Sequence, residues 1–179
     1  MVELLVLGLA LGVMLSVLWG TVRTGISPMP SSAHAREAML GLLPESVEGS
    51  ILELGSGWGG MACCLAKRHP QAPVEGYELS VVPWVFSALR QRASGLKNLS
   101  VHRADFRSAD FSGASVLVCY LHPEGMKRLA EALEERLPPG LVLISNTFAL
   151  PGFEPQEVLV LDDLYSTRIY SYVGREAEA

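Results

Sequence analysis

Short apolar segments that favour β-strands alternate with helical segments through most of this chain. The five strand segments are residues 50–54, 74–79, 99–103, 115–121 and 141–145. Helical segments of roughly 12 residues separate several of them, a length that suits the crossover between two parallel strands. Because such crossovers are right-handed in nearly all proteins, the alternation predicts an α/β domain with a mostly parallel sheet flanked by helices.

The C-terminal part of the chain departs from this alternation. Residues 147–156 include Pro151 and Pro155, and a segment with two prolines does not support a helix. Residues 158–161 and 165–173 then have the composition of two further strands. With no helix between them, we expect these strands to form an antiparallel hairpin that closes the sheet.

The N-terminal segment has a different character. Residues 2–22 form an apolar run with a single charged residue, Glu3, and this run reaches the length of about 20 residues that a helix needs to cross a bilayer. Trp19 lies where an interfacial aromatic residue is favoured. Arg23 and Arg36 follow the run, and the positive-inside rule then places the remainder of the chain in the cytoplasm. The sequence therefore predicts a single-pass membrane anchor.

Two alternatives to an anchor are weaker. A cleaved signal peptide normally opens with positive charge, whereas this segment opens with an acid. A buried core helix normally shows an apolar stripe, whereas this run is apolar on all sides. The predicted organisation is a transmembrane helix, one α/β domain and a frayed tail, at residues 1–24, 25–174 and 175–179.

A glycine-rich loop, ELGSGWGG at residues 53–60, follows the first strand and opens a helix. Glycine lets the backbone turn sharply there and lets a ligand approach closely. Gly55, Gly57 and Gly60 satisfy the G-x-G-x-x-G spacing of dinucleotide-binding proteins. Gly55, Gly57 and Gly59 satisfy G-x-G-x-G equally well. The glycines alone do not decide between a dinucleotide and a different kind of ligand.

Acidic residues at the ends of three successive strands favour one of the two. Glu53 precedes the first glycine, where it would repel a pyrophosphate and attract a ligand with an ammonium and a sulfonium group. Glu78 ends the second strand and is placed to accept hydrogen bonds from two ribose hydroxyls. Asp105, followed by Phe106, offers a carboxylate for an adenine amine beside an aromatic face. Ligands of open α/β sheets bind at these carboxyl ends of the strands.

This set of features resembles the class I S-adenosylmethionine-dependent methyltransferases. Within them it is most similar to the ATP synthase c-subunit lysine methyltransferases and their bacterial and archaeal relatives. The resemblance covers residues 27–172, and its marks are the stretches SPMPSS, ELGSGWGG, VEGYELS, VCYLHPEGMKRL and ISNTFALPGFEP. It implies a Rossmann-like class I methyltransferase fold with a C-terminal antiparallel hairpin.

The resemblance also implies the residues that bind the cofactor S-adenosyl-L-methionine. Glu53, Gly55 and Gly57 would hold its methionine part, Glu78 its ribose and Asp105 its adenine. The other cofactor contacts expected from the matching motifs are Ser56, Gly59, Leu79 and Phe106.

Methyl transfer from a sulfonium is an in-line displacement, so positioning and desolvation supply most of the catalysis. The residues expected to act on the methyl acceptor lie after the fourth and fifth strands. Tyr120 would orient an amine, His122 would take a proton near neutral pH, and Asn146 would supply a carbonyl. The residues expected to bind the substrate are Phe148, as an aromatic wall, and Pro30, Ser31 and Ser32, which would close the site.

The chain departs from the family pattern at two places. The family usually has Asp-Gly-Arg where this chain has Trp58-Gly59-Gly60, and the aromatic residue of its Pro-aromatic-x-Pro loop is absent from residues 27–30. These departures bear on the substrate and on activity more than on the fold. Two further aromatic residues, Trp84 and Phe86, are expected to pack in the core.

The favoured function is a membrane-anchored methyltransferase that modifies protein lysine, with a membrane protein as the expected substrate. The alternatives are a catalytically idle, membrane-tethered cofactor-binding module and a small-molecule methyltransferase. A nicotinamide oxidoreductase ranks lower, because about 150 residues leave no room for a second substrate domain.

Composition excludes several other classes. A net charge of −5 argues against nonspecific nucleic-acid binding. Three cysteines, of which Cys63 and Cys64 are adjacent, do not form a disulfide framework and favour a reducing compartment. The four histidines have no metal-ligand spacing, so no metal site is expected.

Overall fold

The structure, a computed structural model, describes residues 1–8, 11–12, 14–15, 31–134 and 137–175. Within them, seven strands form one sheet in the order β3-β2-β1-β4-β5-β7-β6. The strands are β1 Ser50–Leu54, β2 Val74–Tyr77, β3 Leu99–His102, β4 Ala114–Cys119, β5 Val142–Asn146, β6 Glu157–Val160 and β7 Arg168–Val173. Strands β1 to β5 are parallel, and β7 runs antiparallel to both β5 and β6. The predicted mostly parallel sheet with a C-terminal hairpin is confirmed.

Helices cover both faces of the sheet. They are α1 Ala33–Gly41, α2 Gly60–Arg68, α3 Val81–Ser94 and α4 Pro123–Ala132, with a short 3-10 helix at Phe106–Ser108. The side chain of Ser32 caps α1 by accepting a hydrogen bond from the Ala35 N–H at 3.0 Å. Proline at the first position of α4 needs no intrahelical hydrogen-bond donor there.

Helix α4 is shorter than its apolar periodicity predicts. The spacing of its leucines favours a helix as far as Leu137, but α4 ends at Ala132 and Glu134 has a φ of 51°. A left-handed residue ends the helical hydrogen-bonding pattern. Leu133 and Leu137 nevertheless remain buried in the same cluster as α4, so burial and not helical geometry explains their spacing.

Alternation along the strands divides the core into two layers. Ile51 of β1 packs with α1 and α2, whereas Leu52 and Leu54 pack with α4 on the opposite face. Because successive side chains of a strand point to opposite faces, Glu53 lies on the same face as Ile51. It is buried there, at the end of β1 and beside the start of α2. The alternation of side chains along β1 therefore buries the carboxyl group of Glu53.

The structure describes only part of the predicted anchor, residues 1–8, 11–12 and 14–15, and its remainder lies outside the described residues. Residues 2–8 are helical and exposed. Among the residues that the structure describes, no helix has both the length and the apolar character needed to cross a membrane.

Candidate active site

The glycine-rich loop leaves β1 through three left-handed residues. Gly55, Gly57 and Gly59 have φ values of 76°, 52° and 72°. Gly60 is instead the first residue of α2. The backbone therefore follows the G-x-G-x-G spacing, because positive φ values are the ones that favour glycine.

Two of these glycines are also required by close packing. A Cβ built on Gly59 would lie 3.0 Å from the Cβ of Ser87 and closer still to its hydroxyl, and one on Gly55 would lie 2.8 Å from a methyl carbon of Leu121. A Cβ on Gly57 would have no neighbour within 4 Å among the described residues. Gly57 is thus the glycine whose backbone is open to a ligand.

Glu78 holds the loop in place. Its Oε2 accepts a hydrogen bond from the Gly57 N–H at 2.9 Å, and its Oε1 accepts one from the Ser80 N–H at 2.6 Å. The side chain is 8% exposed. From the sequence, Glu78 is predicted to bind the ribose of the cofactor. The structure adds that this carboxylate ties the end of β2 to the loop after β1.

Glu53 is a buried acid with an unsatisfied oxygen. It is 6% exposed, and its Oε2 has no hydrogen-bond partner among the described residues. Burial, reinforced by the nearby charge of Glu78, raises the pKa of Glu53 to about 8, although a hydrogen bond from the Ala62 N–H opposes the shift. A cationic ligand group at Oε2 would satisfy the oxygen and stabilise the carboxylate.

A cavity of about 290 Å³ opens beside these two acids. Six of the residues predicted for the site line it: Ser31, Glu53, Gly55, Ser56, Gly57 and Tyr120. Five further lining residues were not singled out as ligand contacts: Arg36, Trp58, Gly60, Met61 and Arg90. Arg36 lies on α1 and Arg90 on α3, and no local pattern in the sequence indicates that these two helices meet at the loop.

Trp58 brings an aromatic pair to the rim of the cavity. Its ring packs edge-on against Phe86 of α3, with 5.2 Å between the ring centroids. Phe86 was expected in the core, but it is 51% exposed. That expectation was wrong because the loop before α2, and not the sheet, supplies the neighbour of Phe86.

The residues predicted to bind adenine do not line the cavity. Asp105 forms an ion pair with Arg107, whose Nη2 lies 2.8 Å from Oδ2, and this hydrogen-bonded pairing lowers the pKa of Asp105. Phe106 packs against the core layer of α4, and Leu79 is 46% exposed. Adenine binding by Asp105 and Phe106 stays a prediction, as does a cofactor contact by Leu79.

His122 has a structural partner. Its Nδ1 accepts a hydrogen bond from the Gly125 N–H at 3.2 Å and caps α4, and burial lowers its pKa. A neutral imidazole that accepts at Nδ1 carries its proton on Nε2. Proton transfer to His122 would therefore require loss of this cap. Tyr120 does line the cavity.

The end of β5 meets the segment that precedes α1. The Asn146 side-chain amide donates a hydrogen bond to the Ser31 hydroxyl at 3.1 Å, and its Oδ1 accepts one from the Thr147 hydroxyl at 3.1 Å. Ser32 serves as the cap of α1 and not as a wall of the cavity. Phe148 packs against the core layer of α4, and Pro30 lies outside the described residues.

Comparison with known proteins agrees with this architecture. A sequence profile described as the ANTKMT methyltransferase domain matches residues 53–157. The adenine nucleotide translocase lysine N-methyltransferase of Mus musculus is 28% identical over 141 residues, which cover 77% of this chain and 60% of that protein. This chain therefore spans less than two thirds of the length of the mouse relative.

Two further proteins are similar to this chain, one in sequence and one in fold. A protein-lysine N-methyltransferase of Saccharolobus islandicus is 24% identical over 147 residues, covering 81% of this chain and 91% of that protein. The crystal structure of an RNA methyltransferase from Salinibacter ruber, bound to S-adenosyl-L-homocysteine, has a TM-score of 0.73 at 24% identity and covers 84% of this chain and 97% of that one. At this identity the structural match establishes the fold.

Proposed function

The chain belongs to the ANTKMT methyltransferase domain family, and we propose that it is an S-adenosylmethionine-dependent methyltransferase that modifies lysine in a protein. The names of its mouse and archaeal relatives support lysine as the acceptor. The observation that carries the proposal is the buried, unpartnered Oε2 of Glu53 on a cavity beside a left-handed glycine loop.

The residues present fit the proposed cofactor. Glu53 would hold its ammonium group, since an unpaired buried oxygen is costly and a cationic donor removes that cost. Gly57 leaves the backbone open to the ligand, and Glu78 has carboxylate lone pairs to spare for hydroxyl donors beyond its two loop contacts. When bound, the cofactor supplies an activated methyl group. It would also account for the buried acid that lines this cavity, Glu53.

The chain itself would orient and desolvate the acceptor. Tyr120 lines the cavity and is proposed to direct the acceptor amine through its hydroxyl. Asn146 and Ser31 close the adjacent side through their hydrogen bond. Removal of the amine from water favours its neutral form, which is the nucleophile. Since the Nδ1 of His122 caps α4, we assign the proton that the acceptor amine loses to solvent water and not to the imidazole.

The proposal extends to the N-terminal segment. We propose that residues 1–24 anchor the domain to a membrane, with the catalytic domain in the cytoplasm and a membrane protein as substrate. The support is the apolar run at residues 2–22 with arginine after it. The linker at residues 23–27 spans less than about 20 Å when extended, so an anchored site would stay near the membrane surface.

Isothermal titration of the full chain with S-adenosylhomocysteine and with NAD tests the cofactor. Methyl-labelling of separated membrane and soluble proteins then tests the substrate. We expect the chain to bind S-adenosylhomocysteine and not NAD, and we expect the methyl label on lysine residues of membrane proteins. Cofactor binding without any methyl transfer would favour a catalytically idle binding module. Label that is extracted with the lipids would indicate a small-molecule substrate. Binding of NAD would indicate an oxidoreductase. Recovery of the intact chain in the supernatant after membranes are pelleted would exclude the anchor.

A further inference from the structure

Two arginine side chains from different helices converge at the start of α2. A Cβ built on Gly60 would lie 3.9 Å from Nη1 of Arg36 and 3.9 Å from Nη1 of Arg90. The two nitrogens are therefore no more than twice that distance apart. Arg36 comes from α1 and Arg90 from α3, and both line the cavity. The absence of a side chain at Gly60 leaves the space between them open.

This cluster of positive charge has no acidic partner in the described part of the chain. Neither guanidinium lies within ion-pair distance of a carboxylate there. Arg36 donates a hydrogen bond from Nη1 to the carbonyl oxygen of Ser31, which is a neutral acceptor. The N-terminus of α2 adds partial positive charge at the same place. Two like charges held together at a helix N-terminus favour an anion between them.

The cavity also contains an acidic side chain without a partner. Glu53 lines it, is buried, and lacks a partner for Oε2. Glu53 forms no ion pair with Arg36 or Arg90, although all three residues line one cavity of about 290 Å³. A cavity with one unpartnered carboxyl group and two guanidinium groups beyond ion-pair distance of it is complementary to a zwitterion, whose ammonium would stabilise the ionised carboxylate.

From this arrangement we infer that Arg36 and Arg90 bind the carboxylate of an α-amino acid group whose ammonium binds Glu53. The inference rests on the proposed function, in which that group is the methionine part of the cofactor. It assigns Arg36 and Arg90 as cofactor-binding residues that discriminate for the carboxylate. Since Arg90 is on the exposed side of α3 and Arg36 is half-buried, we expect Arg36 to contribute more.

A pair of matched ligands tests the assignment. S-adenosylhomocysteine has both the carboxylate and the ammonium, whereas its decarboxylated analogue keeps only the ammonium. Their dissociation constants are to be measured by titration calorimetry for the full-length wild type, R36Q, R90Q and R92Q. Arg92 lies on the same helix as Arg90 but does not line the cavity, so R92Q makes the same charge change as R90Q. Thermal unfolding of each variant checks that it is folded.

We expect the wild type to bind S-adenosylhomocysteine at least about tenfold more tightly than the analogue. R36Q should weaken S-adenosylhomocysteine binding by about tenfold and the more exposed R90Q by about threefold, each leaving the analogue within about twofold, and R92Q should change neither. E53Q should weaken both ligands, since both carry the ammonium. This pattern would distinguish a carboxylate contact from a general loss of structure.

Three results overturn the inference. They are equal wild-type affinity for the two ligands, arginine variants that weaken both ligands to the same extent, and arginine variants that weaken neither. In each of these cases S-adenosylhomocysteine still binds the wild type, and the proposed function stands. If the wild type binds neither ligand, the proposed function fails and takes the inference with it.

Discussion

The side-chain amide of Asn146 donates a hydrogen bond of 3.1 Å to the hydroxyl of Ser31, which joins the end of β5 to the residues before α1. The two residues are 115 positions apart in the chain. Asn146 is 3% exposed, whereas Ser31 is half-buried on the wall of the cavity. This contact closes one side of the candidate site.

We expect S31A to lower the rate of methyl transfer by about tenfold, because Asn146 then loses the partner that fixes its amide. The neighbouring S32A is the control. It removes the cap of α1 and should cost about 1 kcal/mol of stability with little effect on transfer. Steady-state kinetics and thermal unfolding of both variants measure these effects. Equal kinetic effects in the two serine variants would contradict a role for the Asn146 contact.

Replacement of Glu78 should affect both stability and cofactor binding. E78A leaves the N–H groups of Gly57 and Ser80 without their acceptor, so we expect a loss of about 1–3 kcal/mol in the free energy of unfolding. S-adenosylhomocysteine binding should weaken by a similar free energy. E78Q retains one acceptor oxygen and should lose less of both. Denaturant unfolding and titration calorimetry provide the comparison. Unchanged affinity in E78A would remove Glu78 from the cofactor site.

The raised pKa of Glu53 predicts that this residue lowers the free energy of unfolding by an amount that depends on pH. Between its ordinary value of 4.5 and its folded value of about 8, the unfolded carboxyl is ionised while the folded one stays protonated. Unfolding then releases a proton, so the free energy of unfolding falls with rising pH, by roughly 1 kcal/mol for each pH unit. Above about pH 8 both states are ionised and the cost is constant.

E53Q removes this cost and keeps the shape of the side chain. We expect the melting temperature of E53Q to exceed that of the wild type by an amount that grows from pH 5 to pH 8. Because the other titrating groups are common to both proteins, their contributions cancel in the difference. If the difference between the two melting temperatures stays constant from pH 5 to pH 8, Glu53 does not titrate in this range.

The same group predicts proton release when the cofactor binds. At pH 7 the Glu53 carboxyl is mostly protonated, and an ammonium group beside Oε2 favours the ionised form. We expect close to one proton to be released for each S-adenosylhomocysteine bound by the wild type, and close to none for E53Q. Calorimetry at pH 7 in buffers of different ionisation enthalpy counts these protons. Equal release by both proteins would place the ammonium elsewhere.

Two adjacent glycines should respond oppositely to alanine. G59A puts a Cβ against Ser87 on a residue with a φ of 72°, and we expect it to lose about 2 kcal/mol or more of stability. G60A puts a Cβ at ordinary contact distance on the first helical residue, where alanine favours the helix by up to about 1 kcal/mol. Chemical denaturation ranks the two variants, and a more stable G59A would refute the loop geometry.

Sequence by itself determined the elements of this fold and the composition of its ligand-binding loop. The period of two in the strands, the glycines at positive φ and the acids at strand ends are local properties, set by backbone sterics within a few residues. The resemblance to lysine methyltransferases, which rests on short stretches of sequence, is confirmed by the matching sequence profile and by two similar proteins.

Only the tertiary structure decided which side chains share the cavity. Arg36 and Arg90 meet because α1 and α3 pack on either side of α2, and nothing within a few residues of either arginine records that arrangement. The same holds for Phe86, which contacts Trp58 of the loop and not the core. Long-range convergence depends on how whole helices pack against a sheet, whereas periodicity reports only which face of one element is apolar. That difference explains why the glycine-rich turn after β1 could be predicted from the sequence and the meeting of the two arginines could not.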